Sequence, residues 1–104
     1  MNLKLVSVNA DTSFTSFQST IVASYDDLCE IFGRPFEYNG DKVTTEWDLR
    51  INEIDEDGEV WDSYVCTIYD WKQDTPPRGV YEWHIGGHSK KSAHVLKEYI
   101  MQEK

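Results

Sequence analysis

Between Val43 and Ile51 the chain alternates without a break. Val43, Thr45, Trp47, Leu49 and Ile51 point one way, and Thr44, Glu46, Asp48 and Arg50 the other. Period two over nine residues predicts a strand with one buried face and one wet face, as in an antiparallel sheet covered on one side by helices. Asp55-Glu56-Asp57-Gly58-Glu59 then turns the chain, Asp57-Gly58 being a favoured hairpin pair. Val60 to Trp71 returns as a long strand whose two faces are less cleanly sorted. Thr75-Pro76-Pro77-Arg78-Gly79 breaks it, Val80 to Ile85 forms the next strand, and Gly86-Gly87 is expected to stop that one.

The first third reads less sharply. Leu3 to Val8 alternates loosely and predicts a short strand. Asn9 to Ser13 predicts a turn, and Phe14 to Ala23 a second strand paired antiparallel with the first. Ser24-Tyr25-Asp26-Asp27 supplies a capping hydroxyl with an acid three residues on. Leu28, Ile31 and Phe32 make the apolar stripe of a short helix, which Gly33 and Pro35 end. Phe36 to Asp41 reads as a loop with Asn39-Gly40 at its tip. A last helix carries Ala93, Leu96, Tyr99 and Ile100 on one stripe with Val95 beside it, and Gln102 to Lys104 is expected to fray. The expected fold is one α+β domain over residues 1–104. It has an antiparallel sheet of about five strands with two helices on one face, in the order β-β-α-β-β-β-α.

Composition narrows what such a domain does. At 104 residues the chain can bury one core, and 39% hydrophobic and 13% aromatic residues exclude a disordered polymer. No apolar run reaches the ~20 residues of a membrane helix. Met1 to Leu5 lacks the apolar core and cleavage site of a leader, so the cytoplasm is the expected location. Cys29 and Cys66 fall one in a helix and one in a strand, without framework spacing, and read as buried free thiols. The formal charge is -9. Such a chain repels duplex DNA and anionic membranes, and its natural counterpart is a protein with a basic surface.

Acid is densest from Glu46 to Asp62. Glu46, Asp48, Asp55, Glu56, Asp57, Glu59 and Asp62, with Trp61 among them, form the candidate partner surface. Alternate residues of a strand stand about 6.6 Å apart on one face, close to the roughly 6–7 Å between phosphates along one nucleic-acid strand. A row of carboxylates at that pitch suits a cationic groove. The plainer reading is a solvated strand face and hairpin tip. Gly86-Gly87-His88-Ser89-Lys90-Lys91 offers a second candidate. Glycines ahead of a helix N-terminus expose N–H groups to an anion, so Gly87, His88, Ser89 and Lys90 could hold a nucleotide or signalling anion. Trp71 or Trp83 would then stack on its base. The plainer alternative there is a glycine turn followed by solvated lysines.

His84, His88 and His94 lie on a strand, a turn and a helix, which gives no metal set, and the Asp55–Gly58 turn lacks the register of a calcium loop. No cofactor is implied. Cys66 and His84 on neighbouring strands, oriented by Asp70, would be the one catalytic arrangement to consider. An inert core thiol is the simpler expectation, because Cys66 shares a face with Tyr64 and Ile68.

These residues also carry a resemblance. Thr45-x-Trp47-x-Leu49, the Asp57-Gly58 turn, Thr67-Ile68-Tyr69-Asp70-Trp71-Lys72 and Tyr81-x-Trp83-His84-Ile85-Gly86-Gly87 resemble a group of small bacteriophage proteins. So do Ser24-Tyr25-Asp26-Asp27-Leu28 and Phe32-Gly33-x-Pro35. The chain departs from the group at Asn52 to Glu59, where its turn is longer and more acidic, and at Trp61 to Tyr64, which reads as an insertion. The resemblance implies expression in the cytoplasm of an infected bacterium and an accessory role outside the virion. Small acidic phage proteins of this kind often inhibit host defence or host enzymes, and it assigns no catalytic residue.

Overall fold

The alternating stretch becomes the strand on which the sheet is assembled. The computed structural model describes residues 2–40, 42–73 and 75–104. Among them lie β1 (Asn2–Ser7), β2 (Ser16–Ser24), α1 (Tyr25–Phe32), β3 (Phe36–Glu37), β4 (Thr45–Ile54), β5 (Val60–Tyr69), β6 (Val80–Gly87) and α2 (Lys90–Glu103). The sheet runs β1-β4-β5-β6-β2, with every strand pair antiparallel. The short β3 lies against β4 on the same side as β1. This is the expected α+β architecture with one strand more: Phe36–Glu37, read as loop, pairs with Thr45 and Glu46. The Asp41 end of that loop lies outside the described residues.

One face of the sheet carries the core. Trp47, Leu49 and Ile51 of β4, Cys66 and Ile68 of β5, and Trp83 and Ile85 of β6 are buried against Leu28 and Phe32 of α1 and Ala93, Leu96, Tyr99 and Ile100 of α2. Trp47 and Trp83 meet edge to face at 5.3 Å between ring centres. Each indole N–H is satisfied, Trp47 donating to Gly33 O at 2.9 Å and Trp83 to Ala23 O at 3.0 Å. The predicted cap is in place: Ser24 Oγ accepts from Asp27 N at 3.0 Å. Gly33 ends α1 with φ 83° and ψ -169°, a conformation open to glycine.

Three local expectations change. β1 and β2 do not pair; they are the opposite edges of the sheet. The connection Val8–Thr15 must therefore cross β4, β5 and β6, and it does so on the face away from the helices. Ala10 N donates to Asp48 O at 3.3 Å, and His88 Nε2 lies 3.0 Å from Ser13 O. The face expected to be wet thus has a strap across it. Beneath it Val65 and Thr67 are buried and Glu46 and Asp48 half-buried.

Gly86 and Gly87 do not stop β6. They are its last two residues, paired with Thr67 and Cys66. A Cβ on Gly86 would come 2.5 Å from Thr67 Oγ1, and one on Gly87 2.6 Å from Ser92 Cβ. They are glycines because neither face leaves room for a Cβ, Gly86 being closed off by the Thr67 side chain of β5 and Gly87 by Ser92 of α2. Gly87→Ala is expected to cost about 1–2 kcal/mol through overpacking, read as a lowered urea midpoint. The C-terminus does not fray at Gln102 either. Its side chain donates Nε2–H to Leu3 O at 3.0 Å and accepts from Leu3 N at 3.4 Å, clamping α2 to β1.

Candidate functional site

The β4–β5 hairpin reaches beyond β6 on one side, while β1 accompanies β4 to Ile54 on the other. β6 pairs with β5 only from Cys66 to Tyr69, so Val60–Val65 extends past the end of β6. At the tip one carboxylate organises the turn. Asp55 Oδ1 accepts from the N–H groups of Asp57 and Glu59, both at 2.9 Å, and Oδ2 accepts from the Trp61 indole at 2.9 Å. These donors, the Glu59 amide first, hold the Asp55 carboxyl below its ordinary range. Gly58 supplies the positive φ of 83°, and its N–H closes the turn on Asp55 O at 3.1 Å. Trp61 is 66% exposed, and Glu56, Asp57, Glu59 and Asp62 are exposed around it. Asp62 also bonds inward, accepting from Ser63 N at 2.8 Å and from the Tyr64 hydroxyl at 3.1 Å.

The acidic residues do not form a single row. Glu46 and Asp48 point to the strapped face, Asp62 emerges on the helix side of the sheet, and Asp55 to Glu59 occupy the tip. Glu46 and Asp48 behave as a pair. Burial, then a hydrogen bond from Glu46 to Asp48 and the charge of Asp48, raise the Glu46 pKa to about 8. Asp48 Oδ1 is buried without a hydrogen-bond partner among the described residues. At neutral pH Glu46 is the protonated partner, so it contributes no negative charge to a docking surface. Nothing in the spacing of the sequence marks this, because the strap that buries the pair comes from a segment about forty residues away.

The anion candidate comes apart. Gly87 is tied into the sheet, and Trp83 is fully buried in the core, where it cannot stack on a base. Trp71 lies on the strapped face, nearly parallel to His84 at 5.8 Å between ring centres. Ser89 and Lys90 are exposed where α2 begins on the other face. His88 meets the strap at Ser13 O, and Ser89 caps α2 without a side-chain hydrogen bond. The residues proposed to share one ligand are thus divided between two sides of the sheet.

The thiol–imidazole arrangement is not formed. Cys66 pairs with Gly87 on the helix face, whereas His84 pairs with Tyr69 on the other. Cys66 is fully buried, its Sγ donates to Ser92 O at 3.3 Å, and burial raises its pKa to about 12. Asp70, the proposed orienting acid, is itself buried and accepts from Thr44 N at 2.7 Å and Thr45 N at 3.0 Å. His94 pairs with Glu98 at 2.9 Å on the surface of α2. Among the described residues no three His, Cys, Asp or Glu side chains converge as a metal set, and no helix is long and apolar enough to cross a membrane. No protein-family model matches this chain, and comparison with curated proteins and with solved structures finds no match.

Proposed function

We propose that this chain is a non-catalytic binding protein that docks its acidic hairpin on a basic surface of another protein. The contact residues are Asp55, Glu56, Asp57, Glu59, Trp61 and Asp62. Glu46 and Asp48, half-buried beneath the strap, drop out of that surface. The observation that carries the reading is the state of the tip. Its turn is already closed by Asp55, and its indole is held outward among carboxylates, so little ordering entropy remains to be lost on binding. The resemblance to small phage proteins supports a partner in an infected bacterium, a defence or nucleic-acid-handling protein that the chain inhibits. Direct binding to nucleic acid and to membranes is opposed by the charge of -9.

The test starts with capture of the partner from infected lysate by tagged protein, followed by titration with purified components. Affinity is expected to fall steadily from low to high salt, and Trp61→Ala to weaken it by about 2 kcal/mol, roughly thirtyfold. Trp61→Phe, which keeps the ring but loses the bond to Asp55, should fall between. An affinity indifferent to salt and to Trp61→Ala would remove the hairpin from the interface.

A further inference from the structure

The strapped face carries an aromatic surface that neither the core nor the hairpin uses. Phe17 of β2, His84 of β6, Tyr69 at the end of β5 and Trp71 just past it line one recess of about 250 Å³. His84 stands at the centre of the group. Its ring centre lies 4.9 Å from that of Phe17, 5.5 Å from Tyr69 and 5.8 Å from Trp71. Phe17 is 54% exposed and Trp71 36%, while Tyr69 and His84 are half-buried. Rings held against one another in this way lose little freedom when another flat ring packs on them.

A second hollow, of about 230 Å³, shares the walls Tyr69 and Trp71 but has a polar lining. Thr12 and Thr15 of the strap and Ser16 of β2 bring hydroxyl groups to it. Glu46 lines it too and is protonated at neutral pH, so it does not repel an anion there.

Cations stand at the indole. Lys42 Nζ is 5.8 Å and Lys72 Nζ 6.0 Å from the Trp71 ring centre. The backbone holds the two residues together, Lys72 N donating to Lys42 O at 2.7 Å. Lys72 has a φ of 55°, a left-handed conformation that a residue with a side chain keeps only where its surroundings impose it. In a chain of 19 acids and 10 basic residues, two ammonium groups at one ring are a local concentration of positive charge.

We infer that this face binds a mononucleotide. The base packs against Phe17, Tyr69, Trp71 and His84, the sugar lies toward the strap hydroxyls, and the phosphate pairs with Lys42 and Lys72. Three kinds of contact select that class. A bare anion leaves the rings unused, and an uncharged aromatic leaves the ammonium groups unused. A longer strand adds phosphates that a chain of -9 repels. Of the residues first considered for a nucleotide, Trp71 and the neighbouring ring of His84 are here and the glycine turn is not.

Isothermal titration calorimetry with the four ribonucleoside monophosphates, their nucleosides and inorganic phosphate tests this. At least one monophosphate is expected to bind with a Kd of about 100 μM or tighter, and its nucleoside and inorganic phosphate at least roughly tenfold more weakly. Trp71→Ala is expected to weaken the monophosphate at least roughly tenfold, and the more exposed Phe17→Ala by about fivefold. Lys42→Ala and Lys72→Ala together should bring the monophosphate down to the affinity of its nucleoside. Lys91→Ala, in the exposed first turn of α2, should change nothing. Four results overturn the proposal: no monophosphate bound at about 1 mM, an affinity unchanged in either the Trp71 or the double-lysine variant, inorganic phosphate bound as tightly as the nucleotide, or a single-stranded oligonucleotide bound more tightly than any mononucleotide.

Discussion

Replacing Asp70 with alanine is expected to destabilise the fold by about 3–5 kcal/mol, because three buried donors lose their acceptor together. The carboxylate is fully buried and ties two chain segments together. Oδ1 takes the N–H groups of Thr44 and Thr45, and Oδ2 takes the Thr44 hydroxyl. The Asp70 N–H returns a bond to Thr45 O at 3.2 Å, so the end of β5 is locked to the start of β4. Alanine would leave those three donors without a carboxylate acceptor in a region closed to water, each costing about 1–3 kcal/mol if no water enters. Asp70→Asn keeps one good acceptor and should lose about half as much. Urea titration decides it, with a fall in midpoint of ~2 M for the alanine variant. A loss below ~1 kcal/mol would mean that the Thr44–Thr45 segment finds other partners. The aspartate in the Thr67–Lys72 run is therefore a structural residue, although the sequence had offered it as an orienting acid for a thiol.

The contrast between Asp70 and the strap shows which physics a sequence exposes. The Ser24 cap and the Asp57-Gly58 turn are local effects, set by bonds between residues less than five apart, and each formed where its pattern placed it. The alternation of β4 is likewise carried by its own residues, and the strand forms over Thr45–Ile54, starting two residues after the alternation does and ending three beyond it. Strand partners are different. Leu3–Val8 and Phe14–Ala23 read as neighbours because they are adjacent in sequence, yet the eight-residue connection is long enough to span the sheet. Packing then places the two strands on opposite edges. That choice decides how wet the second face is, and so it also decides the charge of Glu46. The glycine pair shows the same limit. Two glycines signal a break in a strand, but they equally signal close approach, and only the presence of Thr67 and Ser92 across the gap distinguishes the two. The hairpin tip remained legible because Asp55, Gly58 and Trp61 make it from within one turn.

Stability should fall as pH rises from about 4.5 to about 8, and Glu46→Gln should abolish most of that fall. A carboxyl whose pKa is raised by folding, here from 4.5 to about 8, binds its proton more tightly in the native state than in the unfolded chain. Between those values the native state holds the extra proton, so the stability from this group is complete below 4.5 and gone above 8. This is the reverse of an ordinary paired carboxylate. Taken whole, the displacement corresponds to about 4–5 kcal/mol. Glu46 keeps part of its exposure, so solvent screening reduces this to roughly 2–3 kcal/mol. Asp48 on its own strand opposes ionisation, whereas the neighbouring Tyr38 and Tyr69 stay neutral across this range, their own pKa values raised by burial and by the Glu46 charge. Glutamine preserves a donor toward the Asp48 carboxylate without the charge. The variant is therefore expected to match the wild type at about pH 4 and exceed it by about 2 kcal/mol near pH 8.5. The general repulsion of a chain at -9 also grows with pH, but it acts on both proteins alike, so the difference between them isolates the pair. Denaturant titrations at the two pH values measure it. A gap between wild type and variant that is the same at both would show that Glu46 ionises as freely in the fold as outside it. Above pH 8 the same repulsion falls on the strand that anchors the strap through Ala10 N and Asp48 O. Hydrogen exchange at Ala10 should then accelerate in the wild type beyond the intrinsic pH effect, and not in Glu46→Gln.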